Sequence, residues 1–331
     1  MVAKYDVVAC GSATVDVFAN TESELIEIKT SHSSESLIAY PSGSKILIND
    51  LLFEIGGGGT NTSVGFARMG LSTGYLGCLG DDENAIRIEN LMKKEKIDFL
   101  GHKVKHLTGY SVILDSIEHD RTILTFKGAN NFLDMKKIPK QTMSTKWFYF
   151  ASMMEKSFMT QKKIAVQAKA KGIRIAYNPS EYQAKQGYNH LKPILDATTI
   201  LILNKEEAGY IAGFGTTKDL VKRLHDLGIP IVCVTDGPAD VYASDGETLW
   251  VMKPTKSKVV ETTGAGDAFA AGFVSEYIKS GKVNQALCVG LANSESVITH
   301  YGAKNILLSY RKAHEYVKEK RLSTRVKKVL S

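Results

Sequence analysis

The feature that most constrains the fold is a recurrence of short, almost wholly apolar segments. They lie at residues 7–10, 147–150, 173–177, 200–203 and 231–235. Apolar runs of this length are typical of strands buried on both faces of a parallel sheet. The stretches between them have helical character, and two of these, at 160–171 and 217–227, end at a glycine suited to a helix C-terminus. The sequence therefore predicts an α/β fold with a mostly parallel sheet covered on both faces.

Two regions lack this alternation of strands and helices. Residues 17–55 and 102–127 carry segments in which apolar and polar side chains alternate, as at 121–126. Period-two alternation predicts antiparallel strands with one exposed face. These strands either form a small sheet that acts as a lid over the main domain, or they extend an edge of the main sheet. In both cases residues 1–331 are expected to form a single domain.

Composition excludes several classes of protein. The 331 residues are 44% hydrophobic and 23% charged, as in globular proteins rather than disordered ones. The net charge is +7, but basic residues are spread out apart from a mild cluster at 318–328, so a nucleic-acid partner is not expected. The four cysteines are far apart, which favours free thiols in a reducing compartment. The run at 7–10 is too short for a signal sequence or a membrane span, so a cytoplasmic protein without a membrane partner is expected.

The strongest candidate site is the glycine-rich turn at 262–267, which leads into a segment with helical spacing of apolar residues. Such a turn leaves the first helical amides unpaired and places the positive end of the helix dipole there, which makes an anion site. Asp267 lies within it. Its carboxylate either only caps the helix or accepts a proton from a hydroxyl that attacks the bound anion.

The same turn carries a family resemblance. Residues 260–269 resemble the carboxy-terminal signature of the PfkB family of carbohydrate kinases, D-T-T-G-A-G-D. The resemblance implies that Asp267 is the catalytic base. The anion hole for the transferred phosphoryl group is implied to be Gly264, Ala265 and Gly266. Glu261 stands where the signature has its first Asp, a position that supplies ligands in relatives with a monovalent cation, so K⁺ as a further cofactor is left open by this departure.

A second glycine-rich segment, residues 56–59, is followed by Thr60 and Asn61. Four successive glycines lose too much chain entropy on folding to serve core packing alone. The segment is either a flexible loop or a place where the backbone approaches another group closely. It resembles the amino-terminal signature of the same family, G-G-x-G-x-N, which contacts the hydroxyls of the substrate. The substrate-binding residues implied by this resemblance are Gly57, Gly58 and Asn61.

Asp16 follows the first predicted strand and on its own can serve simply to cap a turn. Residues 11–16 resemble the family pattern G-x-x-x-x-D, which implies that Asp16 binds two substrate hydroxyls with its paired carboxylate oxygens. Residues 108–109 and 128–130 resemble the segments that bracket the lid strands in the family. These segments are ribokinase-like, so the resemblance favours a sugar over a nucleoside as the substrate.

Asn204 and Glu207 directly follow the predicted strand at 200–203. As bare residues they are typical of a helix N-cap with surface acids. They also resemble the N-x-x-E element of the family, which implies a nucleotide contact at Asn204 and a magnesium role for Glu207; magnesium prefers oxygen ligands and retained waters. The other implied nucleotide-binding residues are Thr235, Gly237 and Asn293.

The resemblance extends from about residue 5 to about residue 310 and implies a ribokinase-like three-layer sandwich with a small β-sheet lid. The implied activity is magnesium-dependent transfer of a phosphoryl group from ATP to a hydroxyl of a small sugar. A nucleoside kinase, a sugar-phosphate kinase and ADP as donor remain alternatives, as does a non-catalytic ligand-binding relative, which the presence of Asp267 disfavours. The sequence has no Walker A loop, which excludes the P-loop kinases. A homodimer through the lid is implied by analogy with the family.

Overall fold

The computed structural model describes residues 3–21, 25–29, 34–38, 40, 42–115, 121–255 and 259–328. Its strands are β1 Tyr5–Cys10, β2 Thr14–Thr21, β3 Leu25–Lys29, β4 Ser34–Ile38, β5 Ile48–Gly56, β6 Thr73–Leu76, β7 Cys78–Leu79, β8 Asp98–Phe99, β9 His102–Lys103, β10 Gly109–Asp115, β11 Arg121–Phe126, β12 Thr145–Ala151, β13 Arg174–Asn178, β14 Ile200–Asn204, β15 Ile231–Thr235, β16 Val241–Ser244, β17 Thr248–Met252 and β18 Arg325–Lys328. Its helices are α1 Gly58–Arg68, α2 Glu83–Lys94, α3 Glu155–Ala170, α4 Glu181–Ala184, α5 Gly187–Leu195, α6 Lys205–Ala212, α7 Thr217–Asp226, α8 Ala265–Ser280, α9 Val283–Val297 and α10 Tyr310–Glu319. Single turns of 3-10 helix lie at Gly128–Asn131, Met135–Lys137 and Lys140–Met143.

The main sheet of the described residues has ten strands in the order β18-β17-β16-β15-β14-β13-β12-β1-β6-β8. The neighbouring strands pair in parallel along the stretch β15-β14-β13-β12-β1-β6-β8. Strands β16, β17 and β18 join antiparallel at one side. The five apolar segments of the sequence lie side by side as β15, β14, β13, β12 and β1. The predicted mostly parallel sheet is confirmed.

Helices cover both faces of this sheet and so produce three layers. Successive side chains of a strand point to opposite faces, and β12 shows the result. Phe148 and Phe150 are buried among residues of α3, α5, α6 and α7. Trp147 and Tyr149 are buried on the other face among residues of α1, α8 and α9. The predicted three-layer α/β architecture is confirmed.

A separate sheet has the order β11-β10-β2-β5. It contains the alternating segments noted in the sequence, so the expectation that they extend the main sheet is wrong. The register places Asp16 of β2 between Ser111 of β10 and Glu54 of β5 on one face of this sheet. Strands β3 and β4 pair with each other as a hairpin. Parts of the predicted lid ranges lie outside the described residues, namely 22–24, 30–33, 39, 41 and 116–120.

Two findings bear on the expectations drawn from composition. None of the helices in the described ranges combines the length and the apolar character that a bilayer crossing requires. The thiols of Cys10, Cys78, Cys233 and Cys288 are free and buried, as expected. Burial raises the pKa of each of these thiols, so they are poor nucleophiles.

Helices α1 and α8 pack closely at Gly65. A Cβ atom at this position would lie 2.5 Å from the Cβ atom of Ala271, closer than two carbon atoms can approach. Helix α1 begins in one glycine-rich segment of the sequence and α8 begins in the other. The contact at Gly65 therefore sets how near the two candidate site segments come to each other.

Gly65→Val is expected to destabilise the protein by about 1–3 kcal/mol, the usual cost of overpacking a well-packed interface. Urea unfolding followed by circular dichroism measures this loss. Ala170→Val, at an exposed position of α3, is the control for placing a β-branched residue in a helix. Equal stability of the two variants would contradict the close contact between α1 and α8.

Candidate active site

The carboxyl ends of the parallel strands meet at one edge of the main sheet, where open α/β sheets bind their ligands. Ser12 follows β1, Ser152 follows β12 and Asn178 ends β13. All three line a cavity of about 240 Å³, together with Gly58 and Asp267. The fold therefore brings both glycine-rich segments of the sequence to one cavity.

The turn before α8 requires a glycine at one position. Gly264 has a φ of 80°, and a Cβ atom there would overlap Ala303. The amide of Ala265 already donates to a carbonyl within the turn, at 3.2 Å. Among the described residues, no protein acceptor contacts the amides of Gly266 and Asp267. The amides that this turn leaves open to a ligand are thus those of Gly266 and Asp267, whereas the amide of Ala265 is already used within the turn.

Asp267 lies in the first turn of α8, and its two carboxylate oxygens have different surroundings. Its Oδ2 accepts a hydrogen bond from Nδ2 of Asn61 at 2.7 Å. Its Oδ1 lies on the side of Gly58, where a Cβ atom would be 3.4 Å away. Burial raises the pKa of Asp267; the Asn61 hydrogen bond and the positive charge of Lys304 oppose this, and the charge of Asp16 adds to it. A raised pKa makes the ionised carboxylate a stronger proton acceptor than an ordinary aspartate.

Asp16 is the second buried acid of the region and is 8% exposed. Its Oδ2 lies against Gly56, where any side chain would overlap the carboxylate. Its Oδ1 is buried and has no hydrogen-bond partner among the described residues. Such an oxygen costs free energy unless a bound group satisfies it. The position of Asp16 therefore fits a hydroxyl-bearing ligand.

The glycine run at 56–59 leads into α1. The amides of Gly59 and Thr60 both donate to the carbonyl of Ser12, at 3.0 and 3.3 Å. A Cβ atom on Gly59 would lie 2.5 Å from the backbone of Gly11, and one on Gly57 would lie 2.6 Å from the Ser12 carbonyl oxygen. The structure therefore has the close backbone approach considered for this segment, and the flexible-loop alternative is wrong.

The predicted nucleotide residues lie further along the same edge of the sheet. Asn204, at the end of β14, pairs in register with Thr235, at the end of β15. Gly237 follows, in a turn where a Cβ atom would meet nothing within 4 Å. Lys205 and Asp236 form an ion pair of 2.9 Å between the two strand ends. These residues are neighbours beside the cavity and leave open backbone at Gly237.

Glu207 forms a capping box with Asn204 at the start of α6. The Asn204 side chain accepts from the Glu207 amide at 2.8 Å, and the Glu207 carboxylate accepts from the Asn204 amide at 2.9 Å. Burial raises the pKa of Glu207 to about 7. The described part of the chain contains no group of three or more His, Cys, Asp or Glu side chains arranged to hold a metal ion. This donor set fits magnesium only if nucleotide phosphates and waters supply the other ligands.

Asn293 does not fit its predicted role as a nucleotide contact. The residue is fully buried in α9. Its Nδ2 donates to the carbonyl of Ala268 at 2.8 Å, and its Oδ1 accepts from the amide of Leu308 at 2.9 Å. Both ends of the amide are therefore used to join α9 to α8 and to the segment that follows α9.

Lys304 belongs to the site although sequence reasoning missed it. Its ammonium group is buried and donates to Oδ1 of Asn61 and to the carbonyl of Ile55. Burial lowers the pKa of Lys304 to about 8, against the opposing effect of nearby carboxylates. No motif marks this position in the sequence, so only the folded chain shows it.

Two residues near the start of the 3-10 turn at Gly128–Asn131 also shape the cavity. The side chain of Asn130 binds both the amide and the carbonyl of Ala13, each at 2.8 Å, and so holds the loop that leads to Asp16. Lys127 lines the cavity, 5.5 Å from the ring centre of Tyr182. The resemblance at 128–130 was a signal for Asn130; Lys127 had none.

Comparisons with known proteins agree with this architecture. The model of the pfkB family of carbohydrate kinases matches residues 6–309. A protein described as an uncharacterized sugar kinase from Archaeoglobus fulgidus is 27% identical over 248 residues, which are 73% of this chain and 97% of the relative. The solved structure of a nucleoside kinase from Methanocaldococcus jannaschii has a TM-score of 0.79 at 20% identity, covering 96% of this chain and 99% of its own. Ribokinase from Arabidopsis thaliana, solved with ribose and ATP, has a TM-score of 0.78 at 19% identity, covering 96% and 99%.

Gly58→Ala is expected to preserve folding and to weaken binding of the acceptor roughly tenfold, equivalent to about 1.4 kcal/mol. The new methyl group would lie 3.0 Å from the Cβ atom of Ala151 and 3.4 Å from Oδ1 of Asp267, and would fill the cavity there. Titration calorimetry with the acceptor measures the effect. Nucleotide affinity is the internal control and should stay unchanged; an unchanged acceptor affinity would place the acceptor elsewhere.

Proposed function

The chain belongs to the pfkB family of carbohydrate kinases, phosphotransferases that act on an alcohol group, and on that premise we propose that it transfers a phosphoryl group from ATP to a hydroxyl of a small sugar. The observation that carries the proposal is the placement of Asp267. One of its oxygens is held by Asn61. The residue lines the cavity at the start of α8, where the amides of Gly266 and Asp267 have no protein acceptor among the described residues.

In the proposed reaction, the acceptor hydroxyl attacks the terminal phosphorus of ATP. Asp267 takes the hydroxyl proton while the new oxygen–phosphorus bond forms and the bond to ADP breaks. Phosphoryl transfer needs alignment and charge stabilisation more than covalent participation of the protein. The amides of Gly266 and Asp267 are suited to stabilise charge on the moving group, because they belong to the first turn of α8.

The lining of the cavity supports a polyhydroxylated acceptor. Hydroxyl and amide side chains surround it, namely Ser12, Asn131, Ser152, Asn178 and Ser180. Groups of this kind both donate and accept, as sugar hydroxyls do. The unpartnered oxygen of Asp16 would accept from a further hydroxyl of the bound sugar.

A nucleoside acceptor is the second candidate. Tyr182, Met153 and Met154 line the same cavity, and Tyr182 is 56% exposed. An exposed aromatic ring beside a polar cavity can stack on a nucleobase while the ribose occupies the polar part. A coupled assay with sugars, nucleosides and sugar phosphates, each with ATP and then with ADP, distinguishes these acceptors and donors. Turnover of none of them would overturn the proposal.

On the nucleotide side, Asn204, Thr235 and Gly237 would contact ATP at the ends of β14 and β15. Glu207 is the residue that would hold magnesium, through water. The bound ion would neutralise charge on the nucleotide phosphates. The role of the chain is to align the nucleotide with the cavity, so that the terminal phosphate lies near the first turn of α8.

The proposal includes the small sheet as a lid that pairs with the lid of a second copy of the chain. On its inner face the small sheet carries Asp16, so closure would bring this carboxylate onto the acceptor and exclude water.

On the outer face of the small sheet, the register aligns Leu124, Val112, Val17 and Phe53 in one row. The two ends of the row are exposed, Leu124 to 56% and Phe53 to 49%, whereas Val17 within it is 6% exposed. Exposed apolar side chains of this kind mark an interaction surface, and a dimer with two-fold symmetry would cover them on both copies.

Asp267→Asn is expected to lower kcat by at least about 100-fold, the usual effect of losing a general base, while acceptor and nucleotide still bind. Steady-state kinetics and calorimetry separate the two effects. Asp16→Ala should instead raise the KM for the acceptor, because it removes a hydroxyl contact. Wild-type turnover in Asp267→Asn would remove this residue from the mechanism.

Leu124→Glu is expected to convert the proposed dimer to a monomer, because it places a charge at the exposed β11 end of the apolar row. Light scattering coupled to size-exclusion chromatography measures the mass. Val166→Glu is the matched control, since Val166 is 59% exposed on α3, away from the small sheet. A wild-type monomer, or a Leu124→Glu dimer, would contradict pairing through this face.

A further inference from the structure

The ammonium group of Lys304 is buried where the small sheet, α1 and α8 meet. The residue is only 6% exposed. Two of its three N–H groups are donated to protein oxygens, the carbonyl of Ile55 at the end of β5 and Oδ1 of Asn61 in α1. A buried lysine is costly unless it is paired and hydrogen-bonded. A buried lysine at this position therefore indicates that its charge has a role in the site.

Charged groups face this ammonium from several packed elements. They are Asp16 on β2, Glu54 on β5, Asp267 on α8 and Arg68 on α1. Arg68 is paired with Glu95 at 2.6 Å, so its own charge is compensated. The three carboxylates, Asp16, Glu54 and Asp267, therefore outnumber the single positive charge of Lys304. The ammonium group of Lys304 is their counter-charge inside the protein.

The contacts of Asn61 show how this charge reaches the proton acceptor. Its Oδ1 accepts from Lys304, and its Nδ2 donates to Oδ2 of Asp267 at 2.7 Å. The reversed amide would set its NH₂ group against the ammonium and its oxygen against the carboxylate, which both charges oppose. With Oδ2 of Asp267 occupied, Oδ1 is the oxygen left on the side of Gly58 and the cavity.

We propose that Lys304 is a positioning residue for the proton transfer: its ammonium fixes the amide of Asn61, which directs Oδ1 of Asp267 to the acceptor hydroxyl. This inference rests on the function proposed above. The charge of Lys304 also stabilises the ionised form of Asp267. A neutral amine keeps two N–H groups but gains a lone pair, so it would accept either orientation of the Asn61 amide and would no longer balance the charge of Asp267.

As a consequence, kcat/KM is expected to fall at both low and high pH. Asp267 must be ionised, so kcat/KM falls as the pH decreases through its raised pKa. Lys304 must be charged, and its pKa is about 8, so kcat/KM also falls as the pH rises through about 8. Removing the positive charge would raise the pKa of Asp267 further and move the acid limb to higher pH by about one unit or more.

The test compares pH profiles of kcat/KM for the wild type, Lys304→Met and Lys304→Arg. Lys304→Met should have its acid limb at higher pH than the wild type and should lose the alkaline limb near pH 8. It should also lower kcat more than it changes the KM for the acceptor. Lys304→Arg keeps its charge at all these pH values, so it should retain the acid limb and lose only the alkaline one. Lys163→Met, at an exposed position of α3, is the control and should keep both limbs. A Lys304→Met profile that coincides with that of the wild type overturns the proposal.

A second measurement is made on the wild-type protein, so it depends neither on turnover nor on whether a variant folds. In protein labelled with ¹⁵N-asparagine, the side-chain amide signals of Asn61 should titrate with a midpoint near pH 8 as Lys304 loses its proton. Lys304→Met, where it folds, should lack this titration. Absence of the titration in the wild type overturns the role of Lys304. If the titration is present but no acceptor is phosphorylated, the proposed function fails and the Lys304–Asn61 coupling stands.

Discussion

The close approach of α1 to α8 is the constraint on which the site depends. Gly65 admits Ala271 without an intervening side chain, and both helices are anchored on the same face of the main sheet. Their amino-terminal ends are thereby brought together at the edge where the parallel strands end. The hydrogen bond between Asn61 and Asp267 is a direct result of this packing, since the two residues are far apart in the chain and belong to the first turns of the two helices.

Much of the fold could be predicted because its signals are local. A strand buried on both faces must be apolar throughout, which is why the segments that became β1, β12, β13, β14 and β15 were recognisable individually. The glycines at 264 and 56–59 were informative for a related reason. Apart from Gly58, each reports a steric condition that no other residue satisfies, and the structure shows the overlapping atoms. Which of two sheets an alternating segment joins depends on distant partners, and the sequence left that question open.

The same distinction explains what was missed at the site. Asn293 carries a side chain suited to nucleotide contacts, but its partners, Ala268 and Leu308, are defined by helix packing and turn it inward. Lys304 looks like a surface lysine in the sequence, and only the carboxylates that surround it after folding give it a role. Glu207 forms the capping box that the N-cap interpretation expects, and its magnesium role stays a prediction, because a motif alone could not separate the two roles.

The antiparallel side of the main sheet has a consequence for solubility. Within the described residues β18 is its outermost strand, and its sequence, Arg-Val-Lys-Lys, belongs to the basic cluster at 318–328. An outermost strand presents unpaired backbone groups to which a strand from another molecule can add, and closely spaced positive charges repel an identical strand. The cluster thus opposes edge-to-edge polymerisation, which accounts for part of the net positive charge without any polyanionic partner.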